Sequence, residues 1–140
     1  MLPESITLDV VTPDKRLCAL QVDEVVLPGS EGSLGVLPGH APLLTALDVG
    51  PLMYRRGNDR QYLAVAEGFA EVLPDRVTVL AHIGERAEEI DTDRATKARD
   101  RALERLKSPD AETDFKRAQI ALQKAVIRIQ VAGMHRGGGA

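Results

Sequence analysis

Val77-Thr78-Val79-Leu80-Ala81-His82-Ile83-Gly84-Glu85-Arg86-Ala87-Glu88-Glu89-Ile90 is the stretch in which the sequence changes its period. Before Gly84, apolar side chains fall at every second position, the repeat of a strand with one buried face. After it, Ala, Arg, Lys, Asp and Glu dominate, and neither Gly nor Pro interrupts the chain before Leu106. That composition suits a helix. The chain therefore divides into a β portion, 1–84, and a helical portion, 85–140.

Upstream, the alternation recurs in short pieces. Ile6, Leu8 and Val10 alternate with Thr7 and Asp9. Residues 22–27 form a second apolar run, stopped by Pro28-Gly29, and 34–37 a third, stopped by Pro38-Gly39. Segments 52–56 and 61–65 flank Gly57-Asn58-Asp59, and 69–73 and 76–81 flank Pro74-Asp75; both pairs predict β-hairpins. Many short strands at this spacing predict an antiparallel sandwich or barrel.

Downstream, two helices are predicted, over 87–106 and 114–134, with Lys107-Ser108-Pro109-Asp110 as stop and restart. Glu85, Glu88, Glu89 and Asp91 gather where the first helix begins, complementing its dipole. Gly133 and the tail Gly137-Gly138-Gly139 end the second. So short a connection predicts an antiparallel hairpin. Its seam reads Ala87, Ile90, Ala95, Ala98, Ala102, Leu103 and Leu106 against Ala118, Ala121, Leu122, Ala125, Val126 and Ile129. Alanine lets helix axes approach closely, but buries far less area than the leucine worth about 1.5–3 kcal/mol. The hairpin should be weakly held, and residues 86–134 would span roughly 70 Å if extended as helix. A releasable hairpin and a permanent cap on the sheet both fit this pattern, and the permanent cap is the simpler.

Charge narrows the classes of function. The chain of 140 residues carries a formal net charge of -3, which gives no whole-chain case for nucleic-acid binding. The sign is unevenly placed: 1–84 holds six Lys and Arg against eleven Asp and Glu, net −5, and 85–140 twelve against ten, net +2. From Phe115 onward Lys116, Arg117, Lys124, Arg128 and Arg136 have no acid among them. One sign of charge along a helix suggests an acidic partner, and a plain solvated face accounts for it equally well. The single Cys18 lies in an apolar run and reads as a small buried side chain. No apolar run approaches the roughly 20 residues that span a bilayer, and no secretory leader is expected. His40, His82 and His135 lack ligand spacing, so no metal site is expected. Gly29-Ser30-Glu31-Gly32-Ser33-Leu34-Gly35 lies between strands without the helix that a phosphate loop needs, so its glycines read as turn formers. No enzyme motif emerges.

Three segments then carry a resemblance. Val26-Leu27-Pro28-Gly29-Ser30-Glu31-Gly32-Ser33-Leu34-Gly35-Val36-Leu37-Pro38-Gly39-His40-Ala41-Pro42-Leu43-Leu44-Thr45-Ala46-Leu47 is similar to the epsilon subunits of F-type ATP synthases. So, in order, are Gly68-Phe69-Ala70-Glu71-Val72 and Val77-Thr78-Val79-Leu80-Ala81. The resemblance implies a flattened antiparallel β-sandwich of about ten strands followed by a two-helix hairpin. It implies a non-catalytic rotor-stalk subunit on the cytoplasmic face of a bacterial membrane. Its partners would be the gamma subunit, the c-ring and, with the helices extended, the alpha/beta catalytic hexamer, whose ATP hydrolysis the helices block. The turns around Glu31 and His40 are candidates to face the c-ring, and closing their strands accounts for them nearly as well; Arg117, Lys124 and Arg128 would face an acidic loop of the beta subunits.

In some members the compact hairpin binds ATP as a regulatory ligand; no cofactor is required. The resemblance places that site at Glu85, Ile90, Asp91, Arg94, Ala95, Arg101, Arg117, Lys124 and Arg128. Lys124 replaces a family arginine, keeping the charge but losing bidentate geometry. Two converging rows of cations would suit a triphosphate. Asp91 and Arg94 read equally well as a helix-start acid and an i, i+3 pair.

Overall fold

The computed structural model describes residues 2–108, 110 and 113–138, with side chains to residue 135. Eight strands are present among them: β1 (Ile6–Val11), β2 (Arg16–Val22), β3 (Glu24–Gly29), β4 (Gly32–Val36), β5 (Leu43–Ala46), β6 (Gly50–Arg56), β7 (Asp59–Leu73) and β8 (Arg76–Arg86). They form one sheet in the order β2-β1-β8-β7-β6-β3-β4, with β5 beside β7. All neighbours are antiparallel except β1 and β8, which run parallel with Thr7 opposite Arg76 and Val11 opposite Leu80. The expectation of about ten antiparallel strands is thus corrected to eight in a mixed sheet.

The sheet folds over on itself because β7 and β8 are long. Segments 61–65 and 69–73, expected as separate strands, are the two ends of β7. Its first half pairs with β6, from Gly50–Val65 to Arg56–Asp59, and its second half with β5, from Leu43–Val72 to Ala46–Phe69. Strand β8 runs along the opposite edge of both. Between the halves the pairing skips Glu67, where φ is 60°, and Gly68 follows at φ 123°. This kink lets β2 touch β6, although three strands separate them in the sheet order. Residues 22–27, expected as one strand, break instead at Asp23. There the backbone N–H donates to Arg55 O at 2.8 Å, and Oδ2 accepts from the Gly57 N–H at 2.6 Å.

Between the two layers lies an aliphatic core. Ile6, Leu8 and Val10 from β1 and Val77 and Val79 from β8 meet Leu27, Val36, Leu52 and Leu63 from the other layer. With two Phe, two Tyr and no Trp in the chain, that aliphatic packing supplies most of the stabilisation.

The chain leaves the sheet at Arg86, makes a single 3-10 turn at Ala87–Glu89, and enters α1 (Thr92–Lys107). The first helix therefore starts later than 87. Asp91 is its N-cap, its Oδ1 accepting from the Arg94 N–H at 3.1 Å. Glu85 belongs to β8, so it is not a helix-start acid. Helix α2 (Phe115–Gly138) is capped in the same way by Asp114, which accepts from the Arg117 N–H at 3.1 Å. It passes through Gly133, expected as its stop. A helical glycine costs about 1 kcal/mol relative to alanine; Val131 and Ala132, fully buried just before it, offset that cost. Of the expected turn and tail, Pro109 and Gly139 lie outside the described residues.

The helices pack on each other through buried Ala95 and Ala102 of α1 and Ala118 and Ala125 of α2. Leu122 and Ile129 are half-buried, and Val126 lies off the seam, exposed. Helix α2 also packs on β7 and the 3-10 turn. There Val131 and Ala132 form a small apolar cluster with Ala64, Ala87 and Ile90, flanked by Tyr62 and Ile127. Among the described residues α1 reaches the sheet chiefly through α2.

Candidate functional site

Where α2 crosses the sheet, two carboxylates from adjacent strands meet two cations one helical turn apart. Glu85, near the end of β8, takes Arg128 in an ion pair: Nη2 donates to Oε2 at 3.2 Å, and Nε lies 2.6 Å from Oε1 without making a hydrogen bond. Glu67, at the kink of β7, lies 3.7 Å from Lys124 Nζ. Spacing of four residues puts Lys124 and Arg128 on one helix face. Val49, Ala64, Ala66, Ile83 and Ile127 line the apolar wall beside them, enclosing a cavity of about 20 Å³. That volume holds about one water molecule, far below the ~300 Å³ of a small-molecule pocket.

The other candidate residues are dispersed. Ile90 and Ala95 are buried and serve packing, and Asp91 serves as the cap. Arg94 and Arg101 are exposed on α1, and among the described residues neither guanidinium carries an ion pair. Arg117 lines an open, polar cleft of about 460 Å³ near the helix turn, with Arg105, Asp110, Thr113 and Asp114. Glu85, Lys124 and Arg128 are thus gathered, while Arg117 lines a different cavity.

The sheet places the loop candidates at turns. Glu31 is exposed between β3 and β4, and His40, between β4 and β5, has Nδ1 2.7 Å from Ala41 O. Cys18 is buried in β2, where loss of solvent pushes its thiol pKa up to about 11, so it stays protonated near neutrality. Burial also raises the Tyr54 pKa.

Sequence reading missed Glu67. Its signal was the glycine that follows it inside an otherwise regular strand pattern, a mark of a local backbone irregularity. It also missed Val131 and Ala132, which lay just before an assumed helix end.

Two family models cover this architecture almost end to end. The β-sandwich domain of the ATP synthase Delta/Epsilon chain matches residues 5–87, and its long alpha-helix domain matches 88–133. The chain belongs to the ATP synthase delta/epsilon family. Within that family its close relatives are epsilon chains. The ATP synthase epsilon chain of Nitratidesulfovibrio vulgaris is 49% identical over 132 residues, 94% of this chain and 98% of that one. The Syntrophobacter fumaroxidans epsilon chain is 50% identical over 131 residues, with 94% and 98% covered. Among solved structures, a chain of the Euglena gracilis mitochondrial ATP synthase, in an assembly of OSCP, F1 and c-ring, is similar at TM-score 0.80 and 25% identity. That match covers 96% of this chain and 84% of that one. As an epsilon-family member the chain is a non-catalytic subunit of the synthase. Its charged clasp between helix and sheet is therefore read as a structural or regulatory contact.

Proposed function

We propose that this chain couples rotation to ATP synthesis on the rotor stalk and restrains ATP hydrolysis through its two helices. In this reading the sheet portion, 1–84, binds the gamma subunit and rests on the c-ring, at the cytoplasmic face of a bacterial membrane. The portion 85–140 is regulatory: extended, it lies along gamma and enters the alpha/beta hexamer. The observation that carries the reading is how lightly the hairpin is held. Helix α1 depends on α2 for its place, and α2 rests on a small apolar cluster and two ion pairs. Such a contact leaves the docked and released forms close in free energy, so a partner preferring one can shift the population.

The test is a chain ended at Arg86, which keeps β8 whole. The synthase assembled with it is expected to hydrolyse ATP several-fold faster than with the full chain. Normal assembly with unaccelerated hydrolysis would contradict the inhibitory role and leave a static adaptor.

A second reading, ATP as a ligand that favours the compact hairpin, draws on the guanidinium groups of Arg94 and Arg101, seven residues apart on α1 and without an ion pair among the described residues. A triphosphate would have to take Lys124 and Arg128 from Glu67 and Glu85. Calorimetric titration of the full chain is expected to show weak binding, abolished together with its heat in Arg94→Ala/Arg101→Ala. No heat at millimolar nucleotide removes this reading.

A further inference from the structure

We propose that Glu67 and Lys124 form the releasable half of a two-point electrostatic latch between sheet and α2, with Glu85 and Arg128 as its persistent half. The inference rests on the reading above that the hairpin leaves the sheet, and it names what opens first.

The backbone at Glu67 is the starting observation. Among the described residues it is the only non-glycine with positive φ, at 60°. Glycine, asparagine or aspartate is the usual occupant of that conformation, and a longer side chain there marks strain held for a purpose. Strand pairing does not require Glu67, because the β7–β8 ladder passes from Ala66–Ile83 to Gly68–Ala81 without it. What the side chain does is reach the helix, its carboxylate 3.7 Å from Lys124 Nζ.

The cations have few other options. No Asp or Glu occurs from Phe115 to the end of the chain, so α2 offers no internal counter-charge. The ion pairs of Lys124 and Arg128 are therefore made with the sheet, through adjacent strands, from one helix face.

The two points differ in strength. The Arg128–Glu85 pair is short and carries a hydrogen bond from Nη2, and both side chains are less than a third exposed. At the other point Glu67 is 52% exposed and the separation is 3.7 Å, a geometry that mobile ions and water exchange freely. An acidic surface approaching α2 takes Lys124 first. The Arg128–Glu85 pair then remains, four residues further along, as the last ion pair between α2 and the sheet among the described residues.

Hydrogen exchange on the full-length chain tests this. In Glu67→Gln, α2 amides are expected to exchange about two- to threefold faster than wild type at low salt, the difference vanishing near 0.5 M. Glu67→Gly also relaxes the backbone, so there the sheet amides should be as well protected as in wild type or better, while α2 still exchanges faster. The swap Glu67→Lys with Lys124→Glu should restore wild-type protection. Wild-type exchange of α2 in Glu67→Gln at low salt, or sheet and helix loosening together in Glu67→Gly, overturns the latch. ATP hydrolysis by the assembled complex is a separate readout. Faster α2 exchange with unaltered hydrolysis keeps the latch and removes the inhibitory reading.

Discussion

Gly68→Ala is expected to cost about 4 kcal/mol or more, enough to leave the sandwich largely unfolded. Two independent causes act at this position. Its φ of 123° belongs to a region that residues with a Cβ rarely adopt, and a Cβ there would sit 2.0 Å from Leu80 O and 2.9 Å from Ala81 Cα. Both obstacles are backbone atoms of β8, so no side-chain rotation relieves them. Moving β8 away would break the pairing that carries Val77 and Val79 into the core. The comparison is Gly57→Ala in the β6–β7 turn, where φ is 61° and no atom lies within 4 Å of a new Cβ. That change should cost only about 1 kcal/mol. Urea unfolding of both variants decides the matter. Similar midpoints would mean that β7 and β8 can slide, and that the kink is not the fixed hinge of the fold.

That kink also marks the limit of what the residues disclosed. Alternation at Ile6, Leu8 and Val10 and at Val77 and Val79 places β1 and β8 correctly, because a half-buried strand writes its period directly. It does not say that β1 and β8 are parallel neighbours, since pairing across some seventy residues leaves no local trace. Segments 61–65 and 69–73 read as separate strands because Ala66, Glu67 and Gly68 interrupt the pattern; physically they are a bend within one strand. The helix pair was legible from composition, but its start was set by the Asp91 cap rather than by the first alanine. For the site, charge marked Lys124 and Arg128 among five cations from Phe115 onward, and the resemblance grouped them with Glu85. Their partners depend on which strand ends lie under α2, a long-range fact carried by Glu67 and Glu85.

Ala125→Leu is expected to free the hairpin while leaving the sheet intact. Ala95, Ala102, Ala118 and Ala125 are all at most 3% exposed, so the seam between the two helices is closed over methyl groups. Three extra carbons at Ala125 have nowhere to go, and overpacking of this kind costs about 1–3 kcal/mol. The aliphatic core between the layers lies elsewhere and does not feel the change. In hydrogen exchange, α1 and α2 should lose protection while β1, β7 and β8 keep theirs. In the assembled synthase, hydrolysis should slow, because helices held less firmly against each other are extended more often. Unchanged protection of α1 and α2 would show that the seam can spread to admit a leucine. The alanine seam is also why the ion pairs matter. Along a leucine-lined interface, two partly exposed pairs of about 0.5–1 kcal/mol each would be a minor correction. Where the seam is alanine and the sheet contact is one small cluster around Val131, Ala132 and Ile90, flanked by Tyr62 and Ile127, they are a sizeable addition to the apolar hold. Small changes in salt or in a neighbour's charge can then decide where the helices lie.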